Sequence, residues 1–408
     1  MSGPGQRTPK HPINSQLSAF GGALAVLAAL AACNQRAPEK APELAEAARP
    51  IASSSGAAPA RPIVPPAAPN LPVPPGALGV SPSASGPEKV DFQDVAMGTN
   101  VHFIAYTNAN VDAAHVKTAM ASALSEMRRL EDVMSEWKSD SEVGKINANP
   151  EHWVSVGPQT FSVISRALDE SKASGGAFDI TFQAMSGLWK FGSAADAVPK
   201  LPSPAEIAER RKLVDYRTVE LDSKASAVRI PKGHKIGLGG IAKGYIVDQA
   251  VAVMKQAGIE CFLVQAGGDL YGAGKKPDGS AWVSGIQDPR QVEGVSFATI
   301  ELTDHAFSTA GDYARSYVIG KRRYHHIIDP HTGYPATASR SVTVWADDAS
   351  TADAIDDAVF ILGPEKGLKL VAATPGVGVV IVDKNNKVWI SPRLADKVHV
   401  TREPTDGI

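Results

Sequence analysis

The sequence predicts a domain that mixes β-strands with α-helices, and three patterns support this fold class. Apolar residues alternate across a strand pair from Val90 to Tyr106, which is broken at Met97-Gly98-Thr99. A helix is predicted next, with apolar residues at helical spacing from Val116 to Leu130. A second alternating pair, from Val377 to Ser391, predicts a closing hairpin.

Strand alternation and helical spacing of apolar residues also predict the elements between these ends. A polar loop carrying Trp137 is predicted over 134–147. A second amphipathic helix uses Phe161, Ile164 and Leu168 and stops at Gly175-Gly176. Further predicted elements are a hairpin over 219–230, a strand over 261–265, a sheet segment over 281–287 and a strand over 341–345 that leads into a helix.

Length and charge set the broad class. The 408 residues are enough for one large domain or two ordinary ones. The formal net charge is −2, and basic residues are scattered, with no run longer than Lys321-Arg322-Arg323. We therefore expect no nucleic-acid partner.

Residues 1–33 resemble a bacterial lipoprotein signal peptide. Arg7 and Lys10 precede an apolar stretch, 17–32, that is too short to span a bilayer comfortably. The stretch ends in Leu30-Ala31-Ala32-Cys33, which resembles a lipoprotein cleavage box and implies a lipid anchor on Cys33. The alternative is an ordinary cleaved signal peptide in which Cys33 is incidental.

Residues 34–89 are rich in Ala and Pro and show no apolar period. This composition cannot bury a core, so we expect a disordered tether that could reach on the order of 150 Å. The ordered domain then covers 90–408. The expected location is the bacterial cell envelope, lipid-anchored and facing the periplasm, and Asn34 favours the outer membrane.

Three acids, Asp353, Asp356 and Asp357, share one face of the predicted helix that follows 341–345. Carboxylates this close repel one another unless a cation neutralises them, and hard oxygen ligands favour Mg²⁺ or Ca²⁺. The alternative is a solvated helix face. Apolar neighbours such as Ile355 and Phe360 favour the cation site, because they require the helix to pack closely.

The segment Gly237 to Gly244, GLGGIAKG, is predicted to be a turn from a strand into a helix. Bare glycine backbone, the N–H groups of the helix start and the charge of Lys243 would suit a phosphate. The segment lacks the spacing of a Walker loop or of a GxGxxG fingerprint, and a plain tight turn is the alternative.

Seven blocks carry a family resemblance. In order they are Met97-Gly98-Thr99, Ala177-Phe178-Asp179, GLGGIAKG, AGGD, STAGDY, HHIIDPHTGYP and ADAIDDAVFILG, within about 92–392. Together they resemble the ApbE-type FAD:protein FMN transferases. The resemblance implies an α+β fold, an ApbE-like two-lobed domain with mixed sheets and packed helices that holds the nucleotide between its lobes, preceded here by the disordered Ala/Pro-rich tether.

The resemblance also implies an activity. Members bind FAD and a divalent cation, usually Mg²⁺, cleave the FAD pyrophosphate, and transfer FMN to a Thr or Ser hydroxyl of a target flavoprotein with release of AMP. His326 matches the proposed general base, a role that histidine can fill near neutral pH. The positions matching FAD contacts are Met97, Trp137, Ala177, Phe178, Asp179, Lys243 and Ile328. The positions matching metal ligands are the Gly240 carbonyl, Asp353, Asp357 and Asp356.

Three residues depart from the family pattern. Gly237 stands where the family commonly has aspartate, which implies that one FAD contact is lost or relocated. Asp357 replaces a threonine ligand, which keeps an oxygen and adds a charge. Ala310 replaces a common serine.

Two other outcomes stay open. The same site could act as a Mg²⁺-dependent FAD pyrophosphatase that releases FMN and AMP to water, or as a non-catalytic FAD-binding lipoprotein. The acceptor motif implied by the resemblance, Asp-Gly-x-Ser/Thr-Gly-Ala-Thr, is absent from this chain, so the flavinylated partner is expected to be another protein.

Overall fold

A computed structural model describes residues 86–191 and 201–408. The predicted signal peptide and the tether up to residue 85 lie outside the described residues and stay predictions. None of the helices within the described ranges has both the length and the hydropathy that crossing a membrane requires.

The described residues form six α-helices and sixteen strands. The helices are α1 Ala113–Met134, α2 Glu142–Ala148, α3 Pro158–Ala173, α4 Pro204–Arg211, α5 Ala242–Gln256 and α6 Ala349–Ala373. The strands are β1 Lys89–Ala96, β2 Thr99–Tyr106, β3 Val154–Ser155, β4 Glu220–Asp222, β5 Ala227–Arg229, β6 Phe262–Ala266, β7 Asp269–Ala273, β8 Trp282–Gln287, β9 Ser296–Leu302, β10 His305–Gly311, β11 Ser316–Ile319, β12 Arg322–His325, β13 Ser339–Ala346, β14 Gly378–Asp383, β15 Val388–Ile390 and β16 Val398–Val400. Short 3₁₀ turns lie at Ile180–Met185, Tyr216–Thr218 and Pro392–Leu394.

An eight-stranded sheet forms the centre of the fold, in the order β1-β2-β6-β7-β10-β13-β14-β15, and each neighbouring pair is antiparallel. Helices α1, α5 and α6 pack on one side of it. On the other side, apolar residues of β7, β10 and β14 meet those of a three-stranded sheet, β16-β9-β8. Helices and antiparallel sheets in these layers confirm the predicted α+β fold class.

Two small sheets complete the described structure. Strands β3, β5 and β4 form one of them, and the predicted hairpin over 219–230 is confirmed as its β4–β5 pair. Strands β11 and β12 form a separate hairpin that leads into His326. The closing hairpin is confirmed as β14–β15.

Two local predictions are wrong. The polar loop predicted over 134–147 contains helix α2, which begins where the Ser141 hydroxyl accepts a hydrogen bond from Gly144 N at 2.8 Å and buries Val143 and Ile146. Seven residues are too short for a helical period to stand out. The glycine-rich segment is also not preceded by a strand, since no strand is formed between β5 and α5. A loop leads into α5 instead.

Helices α5 and α6 touch at a glycine. A Cβ on Gly244 would stand 2.9 Å from Asp353 Cβ and closer still to the carbonyl oxygen of Ala349, so only glycine fits. Asp248 of α5 accepts hydrogen bonds from the backbone N–H groups of Ala349 and Ser350, at 2.7 and 2.9 Å. These contacts fix the start of α6 against α5, and with it the acidic face.

Candidate active site

The predicted site blocks converge at one end of the central sheet. Gly267, in the turn between β6 and β7, donates its N–H to Asn100 O at 3.0 Å, which places it beside the β1–β2 turn. Gly267 has φ +60°, and a Cβ there would stand 2.7 Å from Thr99 Oγ1. On its other side, Gly268 lies against the backbone of Thr309 in β10.

Lys243, in the first turn of α5, lies among the acids at this end. Its ammonium nitrogen is 2.7 Å from Asp269 Oδ2 and 2.7 Å from Asp353 Oδ1. The second oxygen of Asp353 accepts a hydrogen bond from Gly244 N at 3.0 Å. The ammonium group of Lys243 is therefore already a positive partner for Asp269 and Asp353.

Ser308 of β10 extends the network. Its hydroxyl hydrogen-bonds to both Asp269 Oδ1 and Asp356 Oδ2, the latter at 2.6 Å. A single hydroxyl proton serves only one acceptor at a time. Asp269 also has Lys243 as a partner, so the hydroxyl proton of Ser308 is available to Asp356.

Burial and mutual repulsion perturb the pKa values of these groups. Burial, followed by the charge of Asp269, raises the pKa of Asp353, although Lys243 opposes the shift. Burial and the surrounding carboxylates raise the pKa of Asp356 well above its ordinary value. Burial alone would lower the pKa of Lys243, but Asp269, Asp353 and Asp356 raise it well above the usual range. The Lys243 side chain is therefore charged at neutral pH.

Asp357 points to a different neighbour from the other two acids. A Cβ on Gly240 would lie 3.0 Å from Asp357 Oδ2 and 3.1 Å from the Phe178 ring, so these three residues are in contact. Within the described ranges, neither the Asp357 carboxylate nor the Gly240 carbonyl takes part in a hydrogen bond. Burial raises the pKa of Asp357 to about 6, with Lys243 opposing.

The donors at this point fit a hard divalent cation. Carboxylate and carbonyl oxygens are the ligands that Mg²⁺ and Ca²⁺ take, and Asp357 and Gly240 offer both kinds without an internal partner. Among the described residues, however, no three His, Cys, Asp or Glu side chains are grouped as a ready metal site. Any ion would need substrate or water oxygens to complete its coordination.

The two histidines have different environments. His325 is buried, and its Nε2 hydrogen-bonds to Ala336 O at 2.8 Å, so its position is structural. His326 has a buried Nδ1 without a hydrogen-bond partner among the described residues. Burial, followed by electrostatic repulsion from His325, Arg315 and Lys243, lowers the pKa of His326 to about 4. The ring is therefore neutral near pH 7.

The residues predicted to contact FAD occupy several parts of this region. Phe178 lies against Gly240, while Ala177 and Asp179 are buried beside it. The Asp179 carboxylate accepts hydrogen bonds from Thr181 N at 2.8 Å and Tyr216 N at 2.9 Å, so it also holds the local backbone.

Three further predicted contacts lie on separate elements. Met97, at the β1–β2 turn, has φ +53° and donates its N–H to Glu131 Oε2 at 2.7 Å. Trp137 is 77% exposed. Ile328 is buried in a small apolar cluster with Met185 and Trp189. The assignments of these three residues to FAD stay predictions.

Two residues of the network were not predicted. Asp269 ends the AGGD block and Ser308 begins the STAGDY block, so both lie in segments that the sequence had marked. Their roles depend on pairing between β7 and β10, which joins residues far apart in the chain.

The model of the ApbE family matches residues 97–381. The chain belongs to the ApbE family. The matched range includes all residues of the acid network and both histidines, His325 and His326.

Individual ApbE relatives support this assignment. A protein named FAD:protein FMN transferase from Treponema pallidum (strain Nichols) is 31% identical over 304 residues, covering 71% of this chain and 83% of the relative. A protein of the same name from Escherichia coli (strain K12) is 30% identical over 276 residues, covering 65% and 77%. The chain therefore spans most of each relative.

Solved ApbE structures have the same fold. The ApbE protein from Thermotoga maritima aligns with a TM-score of 0.68 and 35% identity, covering 75% of this chain and 98% of that one. The flavin transferase ApbE from Vibrio cholerae aligns with a TM-score of 0.66 and 28% identity, covering 76% and 99%.

Proposed function

We propose that this chain is an FAD:protein FMN transferase that uses a divalent cation, Mg²⁺, to move FMN from FAD to a Ser or Thr hydroxyl of a separate flavoprotein. The transferase activity rests on family membership and on relatives of that name. The cation and the hydroxyl acceptor rest on the chemistry of the site.

One observation carries the proposal: the charged Lys243 lies among the acids at the end of the sheet, and its charge acts on the neutral His326. Lys243 is held by Asp269 and Asp353, and its charge is among the causes that keep His326 neutral. A phosphoryl substrate needs positive charge at its oxygens, and a hydroxyl nucleophile needs a neutral base.

The reaction divides among these residues. The acceptor hydroxyl oxygen attacks the phosphorus on the FMN side, the bond from that phosphorus to the bridging oxygen breaks, and AMP leaves. His326 takes the hydroxyl proton. Lys243 supplies positive charge to the phosphate oxygens, and Asp269 and Asp353 fix its position. When bound, a divalent cation neutralises charge on the leaving and bridging oxygens.

Asp357 and the Gly240 carbonyl are the residues that would hold the cation, with Asp356 beside them. The oxygens of Asp357 and Gly240 have no hydrogen-bond partner within the described part of the chain. Asp353 is already paired with Lys243, so its share in cation binding would require Lys243 to give up part of that contact.

The placement in the cell is proposed from the sequence alone. Residues 1–33 would direct export and Cys33 would carry a lipid anchor, with 34–89 as a tether to the periplasm-facing domain. Radiolabelled palmitate incorporation into the chain, lost in Cys33→Ala, tests the anchor. A chain that is exported but never labelled would instead have an ordinary signal peptide.

The activity is tested by intact-mass spectrometry. The protein is incubated with FAD, MgCl₂ and a protein that bears the Asp-Gly-x-Ser/Thr-Gly-Ala-Thr motif, and AMP is followed in parallel. An FMN adduct on the acceptor that disappears with EDTA is the expected result. AMP and free FMN without an adduct would identify a pyrophosphatase, and bound but intact FAD would identify a non-catalytic binding protein.

A further inference from the structure

We propose that one face of the β11–β12 hairpin, with Arg315 and Arg322 beside His326, is the docking surface for an acidic segment of the acceptor protein. The proposal rests on the proposed function, because it assumes that an acceptor hydroxyl must reach His326. It gives a role to two arginines that carry no predicted site assignment.

The hairpin leads directly to the proposed general base. Strand β12 ends at His325, and His326 N donates a hydrogen bond to Arg315 O at 3.2 Å. This bond continues by one position the register in which Ser316 lies opposite His325. Arg315 is therefore the cross-strand neighbour of His326, and residues directly opposite each other have Cβ atoms about 5 Å apart. A group bound at the His326 ring is thus also within reach of Arg315.

One face of the hairpin carries both arginines. Side chains alternate between the two faces of a strand pair, so the positions that share a face with His326 are 315, 317, 322 and 324. Tyr317 and Tyr324 agree with this arrangement, because their rings stack with centroids 5.6 Å apart. The Arg322 guanidinium lies over the Tyr324 ring, 5.1 Å from its centroid. An arginine therefore lies at each end of this face, with an aromatic pair between them.

Aromatic packing fixes this face, since the hairpin is a two-stranded sheet separate from the central one. The Phe191 ring stacks on Tyr317 and the Trp189 ring on Tyr324, with centroids 5.5 and 6.0 Å apart. Trp189 in turn donates its indole N–H to Gly333 O at 3.0 Å, in the loop that follows β12. A surface that is already ordered costs less to bind than one that must be ordered by its partner.

The hairpin carries charge of one sign. Residues 313–328 contain four Lys and Arg residues and no Asp or Glu. Arg315, Lys321 and Arg322 are exposed, and none of the three makes an ion pair within the described ranges. Arg323, the fourth, is partly buried and is held by protein groups. The three exposed cations therefore complement an anionic partner.

The acceptor supplies an anion at a matching distance. Its motif begins with Asp, which precedes the Ser/Thr hydroxyl by three residues and the final Thr by six, at most about 10 and 20 Å of extended chain. Arg315 lies next to His326, and Arg322 is four residues of strand away, about 13 Å. With either hydroxyl at His326, the Asp can therefore meet one of the two guanidinium groups, which bind carboxylates in a strong and directional way.

The test measures FMN transfer by the full-length protein at saturating FAD and Mg²⁺, while the concentration of the motif-bearing acceptor is varied. The variants are Arg315→Gln, Arg322→Gln and Arg315→Lys. Arg393→Gln, an exposed arginine in the Pro392–Leu394 turn, is the matched control. We expect removal of the guanidinium that binds the acceptor to raise KM for the acceptor about threefold to tenfold, and to change KM more than kcat. If that residue is Arg315, Arg315→Lys should recover part of the loss, because it keeps the charge.

A second arm changes the acceptor. Replacing the Asp of its motif by Asn should raise KM for wild type by a similar factor, and should add little in the variant that lacks the matching guanidinium. Added NaCl should raise KM for wild type more steeply than for that variant, because salt screens an exposed charge pair.

Three results would overturn the docking surface while the transferase stands. The first is an unchanged KM for the acceptor in both Arg315→Gln and Arg322→Gln. The second is a raised dissociation constant for FAD, by isothermal titration calorimetry, with KM for the acceptor unchanged, which would assign the arginines to FAD. The third is binding of Cys33→Ala protein to vesicles containing phosphatidylglycerol that is lost on adding Arg315→Gln while KM is unchanged, which would assign this face to the membrane. A wild-type protein that forms no FMN adduct overturns the proposed function and this inference with it.

Discussion

Replacing Lys243 by methionine tests whether this lysine is the resident counter-cation of the acid network. Methionine keeps most of the side-chain length and removes the ammonium group, which lies 2.7 Å from oxygens of both Asp269 and Asp353. Removing one partner of a buried ion pair costs about 3–5 kcal/mol. The Lys243 side chain is 37% exposed, so solvent screening lowers this figure and we expect a loss of about 2–3 kcal/mol.

The assay is urea unfolding at pH 7.5 in EDTA, with thermal unfolding in parallel. Lys243→Met should lower the melting temperature by roughly 3–5 °C. Lys117→Met, an exposed lysine on α1, is the control and should change the free energy of unfolding by less than about 0.5 kcal/mol. Added Mg²⁺ should narrow the gap between Lys243→Met and wild type, because an ion bound among the acids stabilises the folded state by mass action.

The stability lost in Lys243→Met should become smaller as the pH falls. Asp353 and Asp356 have raised pKa values in the folded state, so they take up protons as the pH falls from neutral toward 5. Protonation removes the carboxylate charges that have lost their lysine partner in Lys243→Met. The difference in free energy of unfolding between Lys243→Met and wild type should therefore shrink. A Lys243→Met protein as stable as wild type at pH 7.5 in EDTA would refute the counter-cation argument.

Four further predictions concern neighbouring groups. His326→Ala should abolish FMN transfer while the FAD dissociation constant stays within about threefold; unchanged transfer would remove His326 from the mechanism. The His326 ring should titrate near pH 4 by histidine NMR, assigned by its loss in that variant; a midpoint near 6.5 would contradict its burial. Asp357→Thr, which restores the family residue, should preserve or raise the transfer rate; a folded, FAD-binding but inactive protein would show that Asp357 is needed. Gly244→Ala places a methyl group against Ala349 and Asp353, and this overpacking should lower the free energy of unfolding, measured in urea, by about 1–3 kcal/mol. Alanine's better helix propensity, about 1 kcal/mol, opposes this loss. A variant more stable than wild type would mean that α5 and α6 move apart to make room.

Local patterns were enough to predict most elements. The β1–β2 and β14–β15 pairs, α1, α3 and the acid-bearing α6 follow from periodicities of two and 3.6 residues. Helix α2 did not follow, because a seven-residue helix that buries only Val143, Gly144 and Ile146 offers too few repeats. Its start depends on one capping serine, Ser141, which is a weaker signal than an apolar stripe.

The candidate site was predicted in part, for a physical reason. The blocks named the segments, but the partners of each side chain depend on tertiary contacts between distant strands. Ser308 meets Asp269 only because β10 pairs with β7, and Gln183 meets Gly237 only because a loop is held by Ile180. Spacing along the chain carries no signal for such contacts.

The acids of α6 show how far a spacing argument extends. Their spacing predicts a neutralising cation, and in the structure Lys243 is the positive partner of only one of the three, Asp353. Asp353 is satisfied by Lys243 and by Gly244 N–H, and Asp356 by Ser308, whereas Asp357 lies against Gly240 and has no hydrogen-bond partner among the described residues. The proposed cation site is therefore centred on Asp357, where the family resemblance implies an uncharged hydroxyl. The added charge strengthens attraction for Mg²⁺ but also repels an anionic pyrophosphate at the same place, so ion affinity and substrate affinity should change in opposite directions when Asp357 is neutralised.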